Sequence, residues 1–83
     1  MAAKTIYTAA HRKLVARLRA LREDAGLSQS DLAKVLGWPQ QRLSAVEAGA
    51  RRLDVIEFLS LTEALGLTPE QAIHLAASRQ RSA

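Results

Sequence analysis

The sequence predicts an all-α domain of five helices, and three observations carry that prediction. Aliphatic residues and alanine dominate an 83-residue chain in which Phe, Trp and Tyr occur once each. No stretch of strand length alternates apolar and polar residues with period two, the pattern a half-buried strand requires. Apolar residues recur instead at helical spacing, in runs ended by Gly26, Gly37, Gly49 and Gly66.

The first helix begins near Thr8 or Ala9. Leu14, Leu18, Leu21 and Ala25 lie at i, i+4, i+7 and i+11, so they share one face, and Gly26 closes the run. Ser28 is placed to cap a short second helix with Leu32, Ala33 and Leu36 inward, and Gly37 stops it after about two turns. Trp38-Pro39 leads into a third helix, on which Leu43 and Val46 form a narrow apolar stripe before Gly49. The segment AGARRLD is a loop. Asp54 with Glu57 makes a capping-box-like start to a fourth helix, whose buried face is Val55, Phe58, Leu59, Thr62 and Leu65. Thr68, Pro69 and Gln71 open a fifth helix over 68–79, carrying Ala72, Ile73, Leu75 and Ala76. It frays into SRQRSA, with residues 80–83 as a polar tail, and the whole of 1–83 reads as a single domain.

Composition narrows the function classes. A domain of this length buries roughly 60–65% of its unfolded surface, enough for one core without covalent staples. There is no cysteine, so a disulfide framework and a thiolate metal site are both excluded. His11 and His74 lie far apart with no cluster of ligand spacing, so no metal and no cofactor are expected. No Ser–His–acid arrangement or glycine-rich phosphate loop is apparent, and the chain does not read as an enzyme. No apolar run approaches the roughly 20 residues that span a bilayer. The start MAAKTIYTAAHRKL lacks the apolar core of a signal peptide, so a cytoplasmic location is expected, away from membranes. Residues 1–53 hold ten Lys/Arg and four Asp/Glu, a balance of +6, whereas residues 54–83 balance at −2. That asymmetry fits one basic face turned to nucleic acid, and it equally fits basic residues that solvate the first helix.

The second and third helices resolve the choice. Counting Gln29 as step 1, apolar residues fall at steps 4, 8, 10, 15 and 18: Leu32, Leu36, Trp38, Leu43 and Val46. Ala33 at step 5 leaves room for the third helix to approach, and Gly37 at step 9 suits a turn with positive φ. This is helix-turn-helix spacing. The segment RALREDAGLSQSDLAKVLGWPQQRLSAVEAG resembles the Cro/C1-type (xenobiotic-response-element family) helix-turn-helix transcriptional regulators, over about residues 14–67 and including LTEALGL. The resemblance implies a compact lambda-repressor-like bundle of five helices with the helix-turn-helix at helices 2 and 3. It also implies a third helix that enters the DNA major groove, and bacterial or phage regulators that bind operators as dimers.

A helical wheel shows what the third helix offers. With Leu43 at 0° and about 100° per residue, Val46 and Glu47 lie inward, and Gln41, Ala45 and Ala48 lie opposite. Arg42 and Ser44 occupy the flanks, and Gln40 projects from the start. No acid lies beside these donors in the sequence. A glutamine amide can pair with N6 and N7 of adenine together, Ala45 can touch a thymine methyl, and Arg42 can reach guanine or a phosphate. By the resemblance, Gln40, Gln41 and Ala45 occupy positions that often meet base edges, and Gln29 one that hydrogen-bonds a phosphate beside a helix N-terminus. Ser44 completes the candidate contacts, with Arg51 and Arg52 as phosphate clamps in the following loop. The alternative is that these are solvated first-turn and loop residues. Arg12, Arg17 and Arg19 read as solvation with long-range steering.

The resemblance further implies that Arg22 and Glu47 form a partly buried ion pair tying the third helix to the first, a structural role and not a DNA contact. Trp38 reads as a core residue that plugs the turn. Pro39 stands where the family usually has Ser or Thr, which removes a side-chain cap. Ala45 and Ala48 stand where polar residues are common, so base reading rests on Gln40, Gln41 and Arg42, or leans on DNA shape. The leading function is a sequence-specific double-stranded DNA-binding repressor, a homodimer on a palindromic operator with half-sites roughly 34 Å apart. Ile73, Leu75 and Ala76, with Ala72 nearby, are candidate dimer residues. Two alternatives are an antitoxin that also grips a toxin protein, and a helix-turn-helix module that bridges proteins.

Overall fold

The structure, a computed structural model, describes residues 8–77. The whole of SRQRSA, with Arg79 and Arg81 and so the last two positions expected in the fifth helix, and the first part of the stretch inspected for a signal peptide lie outside the described residues. Five helices follow in order: α1 (Ala9–Asp24), α2 (Gln29–Leu36), α3 (Gln40–Glu47), α4 (Val55–Ala64) and α5 (Pro69–Ala77). No strand occurs among the described residues.

Local side-chain chemistry sets the helix starts. The Thr8 hydroxyl accepts from the His11 amide at 3.1 Å and opens α1. Ser28 with Asp31, Asp54 with Glu57, and Thr68 with Gln71 form reciprocal capping boxes at α2, α4 and α5. The start of α3 differs. Pro39 is the N-cap residue, extended at φ −61° and ψ 141°, and makes no side-chain cap bond. Proline therefore stands just before the helix, and α3 depends on packing more than its neighbours do. Leu43 and Val46 supply that packing, both 0% exposed. Each fully buried side chain of this kind is worth roughly 1.5–3 kcal/mol over leaving it in water.

The turn between α2 and α3 sets the angle of the pair. Trp38 N–H donates to the Ala33 carbonyl at 2.9 Å and Gly37 N–H to Lys34 at 3.2 Å, with Gly37 at φ 73°. A side chain there would have to adopt the left-handed region, which glycine enters without steric cost.

Leu18, Leu32, Ala33, Leu43, Phe58, Leu61 and Ala72 build one core to which every helix contributes. Helix α3 packs on α1 and α2, and α4 packs on α2 and α5. Two faces differ from the sequence expectation. On α1 the buried residues are Val15, Leu18 and Arg22, while Leu14 and Leu21 are half-buried and Ala25 is exposed. Arg22 goes inside because Glu47 of α3 meets it there, and this turns the helix from its purely apolar stripe. On α4, Leu61 is buried, whereas Val55 in the first turn stands clear of its neighbours at 68% exposure. Thr62, also buried, satisfies its hydroxyl on the carbonyls of Phe58 and Leu59 at 3.0 and 3.1 Å.

Candidate nucleic-acid interface

Helix α3 is fixed from behind by one ion pair. Arg22 donates through Nε to Glu47 Oε2 at 2.7 Å and through Nη2 to Oε1 at 2.9 Å, and its Nη1 donates to the Leu27 carbonyl at 2.7 Å. The two side chains are only 8% and 5% exposed. Gln29, the first residue of α2, donates from Nε2 to Glu47 Oε1 at 2.9 Å. One carboxylate thus ties α1, α2 and α3 together. Burial pushes the Glu47 carboxyl up, but the hydrogen bonds from Arg22 and Gln29 and the charges of Arg22 and Arg19 overcome this and hold it below its ordinary value. The hydrogen bond to Glu47 outweighs burial and raises the Arg22 guanidinium in turn.

With its back so anchored, α3 turns Gln41, Ser44 and Ala48 fully outward, while Ala45 is half-buried. The wheel places Ser44 on a flank and Ala45 opposite the core; the actual face is rotated toward Ser44. The cause lies on the Arg42 side. There the Arg42 guanidinium stacks 5.0 Å above the half-buried Trp38 ring, and its Nη1 lies 3.7 Å from Glu57 Oε2 of α4. That side of α3 is covered, so the exposed sector shifts away from it. Trp38 packs against the core, as expected, while its ring also supports Arg42. The side chain of Gln41 has no hydrogen-bond partner among the described residues and is open to solvent. Gln40 is exposed but engaged: Ser30 Oγ donates to its Oε1 at 2.9 Å, and its Nε2 donates to Gln29 Oε1 at 3.5 Å.

The expectation that no acid stands beside these donors fails on one flank. Glu57 reaches Arg42, and it also takes a two-pronged contact from Arg51, Nη1 to Oε1 at 3.3 Å and Nη2 to Oε2 at 3.2 Å. Glu57 is legible in the sequence as the capping partner of Asp54; its hold on two arginines depends on how the loop between α3 and α4 folds back. The Arg51 hydrogen bonds, then the Asp54 backbone amide, hold the Glu57 carboxyl below its ordinary value. Arg52 is exposed, and its charge reaches His11 on α1. Among the described residues no group of His, Cys, Asp or Glu could hold a metal ion, and no helix is long and apolar enough to cross a membrane.

These groups predict an acid-side loss of stability in two stages. Burial, with the charge of Arg52, lowers His11 from its ordinary 6.5, so the unfolded chain takes up that proton first and stability falls as the pH drops below 6.5. Glu47 and Glu57 are lowered from 4.5, so their contribution is complete above 4.5 and is lost as the pH falls through the folded-state values. Urea midpoints measured across pH should show both stages. His11→Gln should remove only the upper one; an unchanged upper stage would show that another group carries it.

Residues 13–80 match a protein-family model described as a helix-turn-helix domain. No curated protein sequence matches the chain. Among solved structures, an XRE-family-like protein from Pseudomonas syringae pv. tomato is 37% identical, with a TM-score of 0.76 over 87% of this chain and 89% of the other. The restriction-modification controller protein C.AhdI from Aeromonas hydrophila is 35% identical, with a TM-score of 0.71 over 78% and 98%. The clp gene regulator ClgR from C. glutamicum is 27% identical, with a TM-score of 0.72 over 89% and 95%. The five-helix fold, the α2–α3 pair and these likenesses agree: the chain belongs to the helix-turn-helix domain family, among the Cro/C1-type (XRE-family) DNA-binding regulators.

Proposed function

We propose that the protein binds double-stranded DNA sequence-specifically and acts as a transcriptional repressor, a symmetric homodimer on a palindromic operator in the bacterial cytoplasm. The observation that carries this reading is the outward face of α3. Gln41, Ser44 and Ala48 project from it, and the helix's one carboxylate is turned inward and paired. Such a face can approach a base edge without meeting a like-charged group, and Gln29 and Arg52 border it as phosphate partners. The likeness to a restriction-modification controller and to a clp gene regulator supports a regulatory role. For the dimer, Ile73 and Ala76 are the exposed apolar candidates on α5, while Ala72 is fully buried and belongs to the core.

The test is fluorescence anisotropy on DNA from upstream of the protein's own gene, against shuffled DNA, over a salt series. A tight, competitor-resistant complex on the native DNA alone supports the regulator. Equal weak binding to both would sink it and direct the search to a protein partner. In the same assay Arg52→Ala should weaken all DNA alike and reduce the salt slope of the dimer by about 1.8, because one phosphate in each half-site is no longer neutralised. Arg51→Ala should do less, because that guanidinium is already paired with Glu57. Arg52→Ala binding with an unchanged salt slope would show that Arg52 touches no phosphate.

A further inference from the structure

We infer that Ser30 is a positioning residue for base recognition: its hydroxyl tethers the Gln40 carboxamide in the one orientation that Glu47, acting through Gln29, leaves open to it. The inference deepens the DNA-binding reading and rests on it. The polarity of the chain of hydrogen bonds starts at Glu47, an ionised carboxylate that can only accept. Gln29 must therefore point Nε2 at Glu47, which it does at 2.9 Å, and turn its Oε1 outward. That oxygen meets Gln40 Nε2 at 3.5 Å, and the Gln40 Oε1 is then left facing Ser30, whose Oγ donates to it at 2.9 Å. Turning the Gln40 amide over would set its oxygen against the Gln29 oxygen, two acceptors with no proton between them. The Gln29 contact is long, so the Ser30 bond is the stronger tether. Ser30 has no capping duty that would explain it otherwise, since Ser28 and Asp31 already form the capping box of α2.

Adenine offers a donor at N6 and an acceptor at N7 in the major groove. A carboxamide held one way round meets that pair in one orientation. A carboxamide free to turn over meets it in both, or gives its NH₂ to an acceptor on guanine or thymine. Ser30 thus sharpens the base preference at the one position in each half-site that Gln40 reads.

The experiment selects sites from a randomised duplex pool with the wild-type protein, Gln40→Ala, Ser30→Ala and Ser30→Thr, with the melting temperature of each variant measured alongside. Gln40→Ala should erase the preference at one position per half-site. Ser30→Ala should lower the preference at that same position about three- to tenfold, the worth of one hydrogen bond, and leave the other positions and the melting temperature unchanged. Ser30→Thr, which keeps the hydroxyl, should restore it. An unchanged preference in Ser30→Ala, or an equal loss at every position, overturns the inference while leaving the DNA-binding reading intact. A wild-type protein that selects no site overturns both.

Discussion

Glu47→Ala is expected to destabilise the domain by about 3–5 kcal/mol, the cost of stranding one member of a buried ion pair. Removing the carboxylate leaves the Arg22 guanidinium at 8% exposure with the Leu27 carbonyl as its hydrogen-bond partner and only the exposed Glu23 carboxylate, 3.9 Å away, as counter-charge, and it strands the amide of Gln29. A small domain has a total stability on the order of 5–10 kcal/mol, so the variant should be substantially unfolded in modest urea. The loss comes from the uncompensated charge more than from the pair's own attraction. Replacing both residues, as Arg22→Met with Glu47→Met, should therefore recover much of it. Urea unfolding of the two single variants and the double would decide the matter. A Glu47→Ala midpoint close to wild type would mean that water reaches Arg22 and that α3 is held by Leu43 and Val46 alone.

Gln41→Ala is expected to lower affinity for the cognate operator by about 1–3 kcal/mol for each bidentate pairing with a base that is lost, one in each half-site. Non-specific binding should not change. The side chain is exposed and makes no bond to the rest of the domain, so the fold has nothing to lose and the effect is confined to recognition. This is the reverse of Glu47, where stability goes first and binding follows. Titrating cognate and shuffled duplexes side by side gives both numbers, with thermal melting as the control. Equal affinity of wild type and Gln41→Ala for the cognate duplex would remove Gln41 from the reading surface.

The parts of the fold legible in the sequence are those set by neighbours along the chain. Ser28 with Asp31 and Thr68 with Gln71 form their capping boxes within four residues, and Gly26, Gly37, Gly49 and Gly66 all take positive φ where the helices end. The spacing from Gln29 to Val46 carries the helix-turn-helix because its apolar steps and its turn glycine are local constraints as well. Helix faces are less legible. Periodicity places a stripe on α1, but the residue that goes inside at Arg22 is charged, and no hydrophobic pattern can select it without the partner on α3.

The candidate site divides along the same line. By itself the sequence determined an outward side of α3 free of that helix's own carboxylate, the amides at Gln29, Gln40 and Gln41, and the arginine pair after the helix, because residue type and a pitch of 3.6 per turn suffice for that. Only the tertiary structure decided which of those groups are at liberty. It brought Glu57 from α4 to Arg42 and Arg51, joined Gln29 to the buried carboxylate, locked Gln40 against Ser30 and left Gln41 open. The reason is physical. A hydrogen bond or an ion pair depends on distances of about 3 Å between groups that packing alone brings together, and those distances are set by residues far apart in the chain.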